Sequence, residues 1–163
     1  MAADGVRACS RPVSLCYTVT DMRLCIVSGI FEPESGGPAT YAPKIASALA
    51  SAGYTVTVVT FSAQTAYPSD SSYPFRLVRV KRGNKIMNRI RFFFVCFQHV
   101  RQSDCVYMLD WFAAGLPASL VARLFRKPYV VRVGGDYLWE QRYLESGAEP
   151  VPLSDVYEKG LYR

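Results

Sequence analysis

Residues 22–60 read MRLCIVSGIFEPESGGPATYAPKIASALASAGYTVTVVT. The segment opens on RLCIVSGI (23–30), a short apolar run with β-branched residues, as expected of a buried strand. It leads into a second such run, TVTVVTF (55–61). Between them, PATYAPKIASALASA (38–52) sets Tyr41, Ile45, Ala48, Leu49 and Ala52 at helical spacing. Pro38 suits a first helical turn, where its missing N–H costs nothing. Pro43 is awkward inside a helix because it forfeits a hydrogen bond and crowds the preceding turn. The helix therefore either starts nearer Tyr41 or kinks there. Gly53 supplies the glycine on which helices commonly end. Just before this helix stand Gly36 and Gly37. Exposed N–H groups and the positive end of the helix would favour an anion or a sugar hydroxyl there, and the absence of Cβ lets backbone approach a ligand. The same pair also fits a plain tight turn. The stretch does not match G-x-G-x-x-G, so the dinucleotide fingerprint is missing.

Outward from this unit the pattern repeats. Residues 62–74, rich in Ser, Pro and Tyr, read as a loop, and FRLVRV (75–80) as a less apolar strand near a sheet edge. KRGN forms a turn into a helix over 85–99. DCVYML (104–109) is a fourth strand, LPASLVARLF (116–125) a helix with Pro117 near its start, and PYVVRV (128–133) a fifth strand. GGDYLWEQRYL then passes from loop to helix. Repeated strand–helix units predict an α/β fold, a Rossmann-like and mostly parallel sheet with helices on both faces. Ligands of such sheets bind at the carboxyl ends of the strands, here Ser28–Gly37, Phe61–Ser72, Leu109–Trp111 and Val133–Glu140. A second glycine pair, Gly134–Gly135, falls on the same edge.

The 163 residues are 50% apolar and 20% charged, which suits one globular core and excludes a disordered chain. The net charge of +6 suits nucleic acid, an anionic membrane, a phosphorylated substrate or merely a solvated surface. No nucleic-acid motif accompanies it, and no nucleic-acid partner is expected. Cys9, Cys16, Cys25, Cys96 and Cys105 are odd in number and lack C-x-x-C spacing, so reduced thiols and a cytoplasmic location are expected. With His99 as the only histidine, no zinc site, no other metal and no cofactor are expected. Residues 1–21 lack periodicity and the flanks of a signal peptide. They are expected to be a disordered extension, or to reflect a start assigned upstream of Met22.

Taken together, these segments resemble the N-terminal domain of GT-B glycosyltransferases of family 4. The first strand, the loop with Pro and Gly-Gly, and Leu49, Ala50, Gly53, Tyr54, Val56, Val58 and Thr60 stand where that family has its Leu-Ala-x-x-Gly-[His/Tyr]-x-Val-x-Val-x-Thr run. RKPYVVRVGGDYLWEQ is similar to a subset carrying Gly-Asp-Tyr-x-Trp-Glu. The likeness covers roughly residues 22–145. It implies transfer of a sugar from a nucleotide-sugar donor to a glycan or lipid-linked acceptor, in a cleft between two Rossmann-like domains. The first domain holds mainly the acceptor; the second holds the donor and supplies a glutamate pair. On this resemblance residues 22–163 are the N-terminal half of a GT-B fold, with the donor-binding domain absent. The chain is then an acceptor-side domain inactive alone, or a non-catalytic partner of a separate donor-binding subunit. Many family members carry a histidine just past the fifth strand; here Gly135 takes that approximate place, followed by Asp136.

Asp136 is the expected catalytic residue, placed to accept hydrogen bonds from sugar hydroxyls or to stabilise positive charge in an oxocarbenium-like transition state. The competing reading makes it the N-cap of the next helix. Gly36, Gly37, Asp110, Trp111, Arg132, Gly134, Gly135 and Glu140 are the expected substrate-binding residues. Asp110 binds acceptor hydroxyls or caps a helix containing Phe112. Trp111 and Trp139 stack on a sugar or fill partial core. Arg132, between valines, needs a partner such as Asp136 or Asp110. Glu32 and Glu34 read as solvated loop charge. Five of the eleven residues from Lys81 to Arg91 are basic, and phenylalanines follow. The stretch is expected to bury its phenylalanines on the sheet with arginines outward; the alternative is peripheral contact with an anionic membrane.

Overall fold

A computed structural model describes residues 22–133 of the chain. The elements run β1 (Arg23–Ser28), α1 (Gly37–Ser51), β2 (Thr55–Ser62), a 3₁₀ turn (Pro68–Ser72), β3 (Arg76–Lys81), α2 (Lys85–Arg101), β4 (Cys105–Met108), α3 (Gly115–Leu124) and β5 (Tyr129–Val131). The five strands form one sheet in the order β3-β2-β1-β4-β5, and every neighbouring pair is parallel. This is a doubly wound α/β fold, as the repeated strand–helix pattern predicts. The less apolar strand, β3, is an edge strand.

β1 lies at the centre, with Val27 in register with Val59 on one side and Met108 on the other. Its alternating side chains feed two cores, because successive residues of a strand face opposite sides. Ile26 joins Val56, Val58 and Leu109 against Ala42 and Ala46 of α1, with Phe31 and Phe75. Cys25 and Val27 join Val59, Phe61, Val106 and Met108 against Phe92, Cys96 and Val100 of α2 and Ala118 and Val121 of α3. Phe61 and Phe92 stack with centroids 4.2 Å apart and tie α2 to the sheet.

α1 begins at Gly37, not near Tyr41, and runs through the buried Pro43. Pro38 occupies the first turn, as expected. At the other end Gly53 N–H donates to Ala50 O and Tyr54 N–H to Leu49 O, while Gly53 takes φ 93°. This paired closure satisfies the last carbonyls and requires the left-handed conformation that glycine adopts without cost. The 62–74 loop contains structure that its composition hides. Its 3₁₀ turn is closed by Asp70, whose N–H donates to Tyr67 O and whose carboxylate accepts from Tyr67 N–H. α3 starts at Gly115, so Phe112 precedes the helix instead of lying in it.

Candidate functional site

The chain steps from β1 through β2 to β3, then crosses back to place β4 on the other side of β1. The connections leaving β1 and β4 therefore diverge, one toward α1 and one toward α3. A crevice between such diverging connections is where doubly wound sheets bind ligands. Its walls are residues 29–36 and 109–114.

At the base, Gly29 faces Asp110. A Cβ on Gly29 would lie 2.9 Å from Asp110 Oδ2, so only glycine allows this approach without displacement. Asp110 Oδ1 accepts the Ala114 N–H at 3.0 Å, which holds the turn into α3. Oδ2 is buried and has no hydrogen-bond partner among the described residues. A buried oxygen left unpaired is costly, so this atom is matched chemically to a hydroxyl or N–H donor. The other such oxygen among the described residues is Glu34 Oε1, on the opposite wall.

The 29–36 wall is held by two arginines from β3 and its exit. Arg82 pairs with Glu34 Oε2 at 2.6 Å and donates to the Gly29 carbonyl at 2.8 Å. Arg79, with 1% of its side chain exposed, grips both carboxylate oxygens of Asp70 and donates to the Glu32 carbonyl. Its guanidinium also lies against the rings of Phe31 and Tyr67. Tyr73 O–H donates to Glu32 Oε2 at 2.8 Å; burial, then this bond to a carboxylate, push the Tyr73 phenol up to about 12. Glu34 is thus a part-buried loop fastener and not the solvated charge expected, whereas Glu32 stays exposed as expected while also bonding Tyr73.

Gly36 precedes α1 with φ 149°, a conformation disfavoured for other residues, and a Cβ there would strike Ile30 Cδ1. Gly37 opens the helix with clear space where a Cβ would be. No side chain caps this end, and its first turn carries no acid. Arg132 lies just past β5. Its partner is not Asp110: the guanidinium rests 4.3 Å from the centroid of Tyr41, a cation–π contact, and no Arg132–Asp110 ion pair forms. Burial first, and the neighbouring Tyr41 side chain second, raise the Tyr107 phenol. Trp111 is 49% exposed and meets Phe112 edge-on, so it is not core. Asp136, Gly134, Gly135, Glu140 and Trp139 lie outside the described residues. Gly29, Tyr41, Arg79 and Arg82 were not singled out by sequence reasoning. Arg79 carried a usable signal, since a cation within a mostly apolar strand requires a partner as much as Arg132 does.

Among the described residues no three His, Cys, Asp or Glu side chains gather as a metal would need. Burial pushes the Cys25 thiol up to about 12 and raises Cys96 as well, which keeps both in the unreactive thiol form.

A parallel doubly wound sheet whose strand order reverses at β1/β4 is shared by a large class of domains that bind ligands at that point. Within it, residues 36–163 match the glycosyl transferase 4-like domain, and the chain belongs to that family. No curated protein matches the chain. Among solved structures, the chain is similar to MurG of Acinetobacter baumannii, with 18% identity and TM-score 0.52, over 78% of this chain and 40% of that one. It is also similar to the C-terminal domain of PF1911 hydrogenase from Pyrococcus furiosus, with 15% identity and TM-score 0.50, over 71% of this chain and 92% of that one. These two likenesses speak to the fold alone.

Proposed function

We propose that this domain forms the acceptor-side wall of a glycosyltransferase cleft, opposite a domain that binds a nucleotide-sugar donor. The observation that carries the reading is the unpartnered Asp110 Oδ2 at the β1/β4 crevice of a glycosyl transferase 4-like chain. Asp110 accepts a hydroxyl of a glycan or lipid-linked acceptor. Trp111, half-exposed beside it, offers a flat apolar face to a sugar ring. Gly36 and Gly37 admit the donor phosphates and transferred sugar to backbone N–H groups at the uncapped start of α1. Arg132 supports that side through Tyr41. Asp136, with Gly134, Gly135 and Glu140, completes the site from the segment after β5 and stabilises positive charge developing on the transferred sugar.

Transfer needs donor, acceptor and charge-stabilising groups held together. The test pairs the chain with a donor-binding domain, on one polypeptide or as a separate subunit. Radiolabelled uridine- and guanosine-diphosphate sugars are then offered with glycan and lipid-extract acceptors. The expected result is transfer from one donor class, with kcat for Asp136→Asn lower by about 10²-fold and the fold intact. Absence of transfer from every donor, or an Asp136→Asn variant with unchanged kinetics, contradicts the proposal.

A further inference from the structure

α2 was expected to turn its phenylalanines inward and its arginines outward, but only part of that holds. Phe92, Cys96 and Val100 are fully buried against the sheet. Ile86, Met87, Ile90 and Phe94 are instead 73%, 46%, 46% and 62% exposed. At helical spacing these four span roughly 100° of the circumference over the first half of the helix. They form one apolar stripe, which packing on the sheet does not use. From Lys81 to Ser103 the sequence has six Lys and Arg residues and no Asp or Glu. Arg91 is exposed beside the stripe. Arg89 lies on its other flank, 5.0 Å from the Phe112 ring centroid, and Phe112 in turn touches the half-exposed Trp111.

We propose that this face docks the domain on an anionic phospholipid bilayer. An apolar stripe between cations is what an interfacial helix needs: side chains that enter the acyl boundary, and charges that stay with lipid phosphates. Charge selects this occupant over a second copy of the chain, because a symmetric contact would set Arg89 and Arg91 against like charges. No described helix is long and apolar enough to cross a membrane, so the contact is peripheral. The N-terminal end of α2 lies on the carboxyl edge of the sheet, the edge that carries the crevice. Docking there holds the crevice at the bilayer surface. Joined to the proposed activity, it selects lipid-linked over soluble acceptors, although docking itself requires no sugar transfer.

The test is sedimentation of the full chain with vesicles of phosphatidylcholine, alone or with roughly one part in three phosphatidylglycerol. Binding should be at least about ten-fold tighter to the anionic vesicles and should weaken with salt. The double variant Ile90→Glu/Phe94→Glu should lose about ten-fold or more of that binding, while Ile90→Leu/Phe94→Leu retains it. Both variants should unfold at the wild-type midpoint. Absent or lipid-indifferent binding overturns the proposal and favours a cover from a protein partner or from residues 134–163 of the chain itself. A dimer in solution that the Glu variant dissociates assigns the face to a second copy and likewise overturns it. Because no donor is present, these outcomes leave the sugar-transfer reading to its own assay.

Discussion

The loop after β1 and the outward face of α2 lie at the same end of the molecule and are built in opposite ways. In the loop both acids and several carbonyls find partners within the chain. Glu32 receives Tyr73, its carbonyl receives Arg79, Glu34 pairs with Arg82, and the Gly29 carbonyl also receives Arg82. On the first half of α2, four large apolar side chains stand in solvent between cations. The loop is fixed by contacts within the chain, as a preorganised ligand wall requires. The helix face contributes little to folding, and its residue choice points to something outside the chain.

The sharpest way to break this contrast is at Asp70. Arg79 has 1% of its side chain exposed, whereas Asp70 has 19%. Removing the acid leaves a buried guanidinium without its counter-charge, so Asp70→Ala should cost about 3 kcal/mol in denaturant unfolding. Arg79→Met should cost less, because Asp70 can then turn to water. Equal costs would show that the buried cation is not what makes the pair matter.

Acid sharpens the same point. The Arg79 hydrogen bond first, and the Tyr67 N–H and Arg79 charge further, hold the Asp70 carboxyl below its usual value against the opposing effect of burial. A depressed folded-state pKa contributes stability above the unfolded value, near 4, that is lost as pH falls through the folded value. Denaturant midpoints measured from pH 6 down to pH 2 should therefore fall less steeply for Asp70→Asn than for wild type. Parallel slopes would remove Asp70 from the account.

The smallest effect is expected on α2. Ile90→Ser removes an exposed side chain, so it should shift stability by no more than about 0.5 kcal/mol. A loss of 2 kcal/mol or more, comparable to emptying a core position, would mean that the stripe packs within the chain after all.

Much of the fold was legible because its signals are local. Cys25, Ile26 and Val27 are apolar in succession because both sheet faces are covered, and Gly53 marks its helix end by conformation alone. The site was legible only in part. Gly36 and Gly37 announce a turn before a helix, and Asp110 announces a strand end, yet neither reveals that Gly29 sits against Asp110. That meeting depends on β4 inserting beside β1, which is a matter of topology. Arg132 illustrates the other limit. Its need for a partner was readable; among the described residues that partner is an aromatic ring on α1 and not Asp110, while Asp136 lies outside them. Exposure of Phe94 was hidden for a related reason, since a run of three phenylalanines cannot all face the sheet on one helix.

The most direct test of the central claim is the Asp110→Asn variant in the sugar-transfer assay, with acceptor concentration varied. Asparagine can keep the oxygen that accepts the Ala114 N–H and places an amide where the unpartnered Oδ2 stood. The expected result is an unfolding midpoint near wild type and an acceptor KM raised about ten-fold, the cost of one lost hydrogen bond to a charged acceptor. Wild-type KM and kcat in that variant would reduce Asp110 to a turn residue and remove the crevice from the acceptor site.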